Sequence, residues 1–174
     1  MVCFWWRRMF WYPKTLHKGN REFMNDKFKI FIDQIPGLAS KLIDCSSAKW
    51  GDFQQLANGG GIYVLYENDL PVYVGRTRNF LRRLRQHGSK SSKHNSAPFA
   101  FNLAKEKYIN KHGLIRVQLE NIPEFRHEFE KAKERVRNMS FKFISVDDSI
   151  IQHLLEVYVS CELGTEKYND FDTH

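Results

Sequence analysis

The run from Gly61 to His87, GIYVLYENDLPVYVGRTRNFLRRLRQH, most constrains what this chain can fold into. Ile62, Tyr63, Val64 and Tyr66 are β-branched or aromatic residues suited to a pleated surface, and Val72-Tyr73-Val74 starts a second such run. Glu67-Asn68-Asp69 between them is turn chemistry, so the two runs read as a hairpin. Gly75 ends the second strand, and either Thr77 or Asn79 can cap a helix whose inner face carries Phe80, Leu81 and Leu84. Strand alternation points Tyr63 away from the side taken by Ile62 and Val64. Arg83 and His87 are one helical turn apart and project from the same face. Two tyrosines on paired strands and two basic residues on the next helix are thereby expected to converge on one cleft.

The remaining pattern predicts an α+β fold, a small antiparallel sheet of about three strands flanked by helices. From Lys27 to Ile43 apolar residues recur at helical spacing, interrupted near Pro36, so one or two short helices precede the hairpin. A helical turn is expected around Phe53–Leu56, and Gly59-Gly60-Gly61 bends the chain into the first strand. After His87, residues 88–96 read as a flexible basic loop, and a helix follows with Pro98 near its start and Phe101, Ala104 and Tyr108 inward. Leu114–Leu119 alternates like a strand, Glu124–Arg137 like a mixed-charge helix, and Ser140–Val146 like a strand with Phe141 and Phe143 on one face. Asp147-Asp148-Ser149 can cap a last helix from Ile150 to about Leu163.

The 174 residues suit one domain of ordinary size, and 42% hydrophobic with 27% charged content suits a folded chain rather than a disordered one. Residues 1–57 read as an N-terminal extension with short helices, and residues 58–174 as the domain carrying the cleft, with an insert between His87 and Glu156. The net charge of +7 is unevenly spread. From Leu70 through Lys105 there is no acidic residue, while Arg76, Arg78, Arg82, Arg83, Arg85, Lys90, Lys93 and Lys105 all fall there. A solvated face usually mixes signs, so this segment is expected to face nucleic acid. Three cysteines without CxxC spacing indicate neither a disulfide framework nor a zinc knuckle and favour a reducing, cytoplasmic setting. No apolar run approaches the roughly 20 residues that span a bilayer, so no membrane partner is expected. Residues 1–23 mix Phe4, Trp5, Trp6, Phe10, Trp11 and Tyr12 with basic residues. They read equally as an arm gripping nucleic acid, a segment packed on the core, or an extension ahead of a natural start at Met24.

The order of these residues resembles the GIY-YIG nuclease family. Gly61-Ile62-Tyr63 gives the first signature and Tyr73-Val74-Gly75 the second, with valine for isoleucine and a spacing at the short end. Arg83 and His87 follow at the family's arginine–histidine spacing, and Glu156 and Asn169 fit its later glutamate and asparagine. Glu162 and Glu166 are fallback carboxylates. The resemblance implies Tyr63, Tyr73, Arg83, His87, Glu156 and Asn169 as catalytic residues, with Glu156 as ligand to Mg²⁺ or another divalent cation such as Mn²⁺. Without it, Glu156 reads more simply as the partner of an arginine, since a carboxylate on so apolar a helix needs a cation or strong hydrogen bonds.

The implied chemistry is phosphodiester hydrolysis. Arg83 would grip the scissile phosphate, and Arg83 and the metal would both favour the Tyr63 phenolate as acceptor of a water proton. His87 is the alternative acceptor, directly or by relay from Tyr63. Tyr73 is expected to position water or phosphate and Asn169 to orient the site. The chain ends soon after Asn169, so DNA reading is expected within the catalytic domain or from another chain. This layout is similar to small stand-alone restriction endonucleases of the family, which cut double-stranded DNA as dimers or by acting twice. Arg76, Arg78, Arg82, Lys90 and Lys93 are the candidate DNA contacts. Alternatives are a structure-specific or nonspecific nuclease, and a nucleic-acid-binding module of the same fold without cleavage. An RNA substrate has no RRM- or KH-like signature behind it.

Overall fold

A two-residue turn sets the centre of the fold. Asn68 (φ 50°) and Asp69 (φ 63°) both take left-handed backbone, the geometry whose twist matches the strands of a tight hairpin. They join β2 (Gly61–Glu67) to β3 (Leu70–Thr77), antiparallel, with an irregularity between Leu65 and Tyr66. This computed structural model describes residues 24–52, 59–109 and 113–169. The expected turn around Phe53–Leu56 and the aromatic segment 1–23 lie outside the described residues.

The other edge of β2 pairs antiparallel with β4 (Ser140–Ser145), and β4 pairs in turn with β1 (Ala48–Lys49). The sheet order is therefore β1-β4-β2-β3, with β3 at one edge. The α+β class is as expected, with one further strand, the two-residue β1. Gly61 admits no side chain: a Cβ there would stand 2.0 Å from the Ile144 carbonyl oxygen on β4.

Alternation gives the sheet two buried faces. Tyr63, Leu65, Tyr73 and Phe141 point to a core shared with α2 (Phe80–Gly88), α3 (Pro98–Lys107) and α5 (Pro123–Arg137). Ile62, Val64, Val74 and Val146 point the other way, onto α1 (Asp26–Asp44) and α6 (Ser149–Leu163). Asp148 caps α6 by accepting from the Ile150 and Ile151 amides. Among the described residues, no helix is long and apolar enough to cross a membrane.

Three local readings are corrected. Pro36 does not divide the first helical segment: α1 runs through it unbroken. Proline removes one hydrogen bond, whereas burial of Ile35, Ala39 and Leu42 against the sheet and α6 acts along the whole length. The alternating run Leu114–Leu119 is not a strand, for Arg116–Asn121 forms the short helix α4. Gln118 accepts the Ile115 amide at its start, and Leu119 alone of the helix is buried. The basic loop after His87 is tied down rather than loose. Lys133, buried on α5, donates to the carbonyls of Lys90 (2.6 Å) and Ser92 (3.2 Å), and Arg137 donates twice to the carbonyl of Gly88.

The hairpin end is clamped to α5 by a two-pronged ion pair. Arg135 Nε and Nη2 donate to the two carboxylate oxygens of Glu67 at 2.7 and 2.6 Å. Hydrogen bonding from Arg135 holds the Glu67 carboxyl below its ordinary range, outweighing its desolvation. A carboxyl depressed in the folded state contributes stability above its unfolded pKa and loses it as pH falls through the folded value. Glu67→Gln should therefore cost about 1 kcal/mol in chemical denaturation at pH 7, with the gap to wild type closing under acid conditions.

Candidate active site

Tyr63 leans over the place where β3 has no side chain. The register sets Tyr63 opposite Gly75, and a Cβ at Gly75 would lie 2.4 Å from the Tyr63 hydroxyl and 2.9 Å from the Tyr73 ring. The glycine thus makes room for both phenols on one side of the hairpin. Asn79 starts α2 by accepting the Arg82 amide at 2.8 Å, while Thr77 accepts the Asn79 amide. Phe80 and Leu84 then anchor α2 in the core, which brings Arg83 and His87 against the tyrosines.

The geometry is a chain of hydrogen bonds. The Tyr63 hydroxyl lies 2.6 Å from His87 Nε2, and Arg83 Nε donates to the same hydroxyl at 3.3 Å. Arg83 Nη1 donates to the Ser96 carbonyl at 3.2 Å. Burial raises the Tyr73 phenol above its ordinary value, and the nearby Arg83 charge opposes the rise. Tyr73 stacks on Phe99 from α3 with ring centroids 4.7 Å apart. Tyr63 and His87 have no exposed surface.

Burial decides the protonation states. It pushes the Tyr63 phenol well above its ordinary value, with the Tyr73 charge adding to the rise and Arg83 opposing it. Arg83 therefore acts in the expected direction but does not overcome desolvation, so the resting group is a neutral phenol. Burial, then Arg83, drive His87 well below its ordinary range, so the imidazole is neutral as well. The Tyr63 hydroxyl donates to His87 Nε2 in the tautomer that carries the imidazole hydrogen on Nδ1, and accepts from Nε2–H in the other. His87 Nδ1 is buried without a hydrogen-bond partner among the described residues.

Glu156 approaches from α6, which packs along β3. Arg76 Nε donates to Glu156 Oε2 at 2.9 Å, with the carboxylate side chain 18% exposed. Burial raises the Glu156 carboxyl and Arg76 opposes the rise. The Glu156 charge reaches both phenols and raises each, which ties α6 electrostatically to the tyrosine cluster. The fallback residues Glu162 and Glu166 are exposed. Asn169 is buried and holds Val74 by both backbone groups, accepting its amide at 3.2 Å and donating to its carbonyl at 2.6 Å.

Tyr63, Tyr73, Arg83 and His87 are thus brought into one cluster, Glu156 stands beside it through Arg76, and Asn169 supports the strand carrying Tyr73. Arg78, Arg82, Lys90 and Lys93 are exposed. Arg82 lines a hollow with Asn79, Gln86, Ser89, Ser92 and Ser96, whereas Lys90 lines a different one beside Glu130 and Glu134. Arg76 differs from the other candidate contacts in being engaged with Glu156. Sequence reasoning missed the Ser96 carbonyl, the Phe99 stack and the Arg76 pairing, each of which depends on a contact between segments distant along the chain.

No group of three or more His, Cys, Asp or Glu residues is arranged to hold a metal among the described residues. A single, cation-balanced carboxylate does fit a hard divalent ion that keeps most of its water, as Mg²⁺ does. Glu156 is the residue that would hold it.

A histidine held neutral by burial makes stability depend on pH. The unfolded chain binds a proton near pH 6.5 that folded His87 refuses, so stability falls as pH drops from about 6.5 toward the depressed folded value. His87→Gln should flatten that slope in denaturation curves measured between pH 7 and 5.

Residues 59–146 match the family model of the GIY-YIG catalytic domain, half of the chain. Glu156 and Asn169 lie beyond the matched stretch. No curated protein and no solved structure matches the chain. The matched stretch spans the hairpin, α2, α3, α4, α5 and β4, and the chain belongs to the GIY-YIG family of nucleases.

Proposed function

We propose that this chain is a Mg²⁺-dependent, site-specific DNA endonuclease of restriction type, hydrolysing phosphodiester bonds in double-stranded DNA as a homodimer or in two successive cuts. The observation that carries the reading is the hydrogen-bonded Tyr63–His87 pair with Arg83 on the same hydroxyl.

In this reading Arg83 binds the scissile phosphate with its remaining N–H groups and meets the charge that grows in the transition state. Tyr63 takes the proton of the attacking water as it passes its own to His87 Nε2. The neutral imidazole makes that relay feasible where the phenol alone is too weak a base. Tyr73 positions water or phosphate beside Arg83, and Asn169 holds the strand that carries Tyr73. Glu156 is the residue that would hold a divalent ion, which when bound would supply charge neutralisation at the phosphate. Arg78, Arg82, Lys90 and Lys93 contact the DNA backbone.

Cleavage of varied duplex DNA with and without Mg²⁺, comparing wild type with Glu156→Ala, tests the reading. Discrete Mg²⁺-dependent fragments that disappear in the variant are expected, with activity lowered at least a hundredfold, the scale on which loss of one transition-state contact acts. Smeared products would keep the nuclease and remove its site specificity. A folded protein that binds DNA without cutting it would replace the enzyme by a binding module. For the DNA surface, Lys90→Ala with Lys93→Ala should weaken binding most at low salt and reduce the slope of log affinity against log salt by about 2. An unchanged slope in fluorescence anisotropy would remove both lysines from the interface.

A further inference from the structure

Resting on the assignment of Glu156 as metal ligand, we infer that Arg76 is the resident counter-cation of that site: it holds Glu156 Oε2 in the metal-free protein and competes with a divalent ion for the carboxylate.

Along β3, Tyr73 and Gly75 face the tyrosine cluster, while Val74 and Arg76 face α6. Arg76 therefore reaches Glu156 without crossing the sheet and meets it at 2.9 Å. A carboxylate this far withdrawn from water is costly without a positive partner. Exchange of guanidinium for metal keeps one cation beside Glu156 at every stage, so neither state leaves the charge uncompensated. Arg76 is 42% exposed, which gives its side chain solvent to move into. Arg83 is differently placed: its bonds to Tyr63 and the Ser96 carbonyl hold it on the phenol side, so the two arginines divide the work. An ion that takes Oε2 displaces the guanidinium and one that takes the other oxygen meets its charge, so metal affinity is set partly by how firmly Arg76 holds on.

Mn²⁺ binding to the DNA-free protein, followed by calorimetry and by electron paramagnetic resonance, tests this without any turnover. Arg76→Gln should bind Mn²⁺ about fivefold more tightly than wild type, the scale of a partly exposed ion pair, and Glu156→Gln should lose the site. Arg76→Gln binding no tighter than wild type, with Glu156→Gln still losing the site, overturns the competition while leaving the ligand in place. Wild-type binding by Glu156→Gln removes the ligand itself, and the inference falls with it.

Discussion

The 2.6 Å contact between the Tyr63 hydroxyl and His87 Nε2 joins a strand to a helix inside a core closed to solvent, and much of the chain serves to keep it there. On the strand side it requires Gly75, because any side chain at that register position would take the hydroxyl's place. On the helix side it requires α2 to start where Asn79 caps it and to lie flat on Phe80 and Leu84. From above it is closed by α3, whose Phe99 covers Tyr73. Each support is ordinary packing; together they hold two uncharged groups of very different intrinsic acidity within proton-transfer distance.

The sheet separates two jobs. One face, with α2, α3 and α5, carries the phenols and the residues that hold them. The other, with α1 and α6, is a mainly apolar core in which Gln152 and Ser160 of α6 are also buried, with the carboxylate of Glu156 at the β3 side. Placing the acid there keeps it off the phenols in space while its charge still raises both of them. The basic loop 88–97 is equally dependent on distant residues. Lys133 and Arg137 of α5 hold its carbonyls, so a surface that reads as loose polar chain is a fixed shape stiffened from below.

How far the amino-acid sequence disclosed this follows from the range of each interaction. The hairpin, its turn, α2 and α6 rest on periodicity, caps and turn chemistry within a few residues, and they emerged in place. The cluster of Tyr63, Tyr73, Arg83 and His87 was legible because two strands and one helix in immediate succession fix it. Pro36 and the run Leu114–Leu119 misled because local preference there opposes packing. At Pro36 the packing of Ile35, Ala39 and Leu42 wins. At Leu114–Leu119 alternation has no strand to pair with among the described residues, and a helical turn satisfies the Ile115 amide instead. The Arg76–Glu156 pair spans 80 positions, so the sequence could offer some arginine for Glu156 but not which one.

Asn169 has a consequence for assembly. Its amide group offers Val74 the donor and the acceptor that a neighbouring strand would offer, at the edge where β3 has none. A side chain here imitates one residue of a missing strand. A chain pairing with β3 would find the backbone groups of Val74, midway along the strand, already taken. At that one position the open edge of the sheet is thus occupied by a side-chain amide rather than left free for another strand.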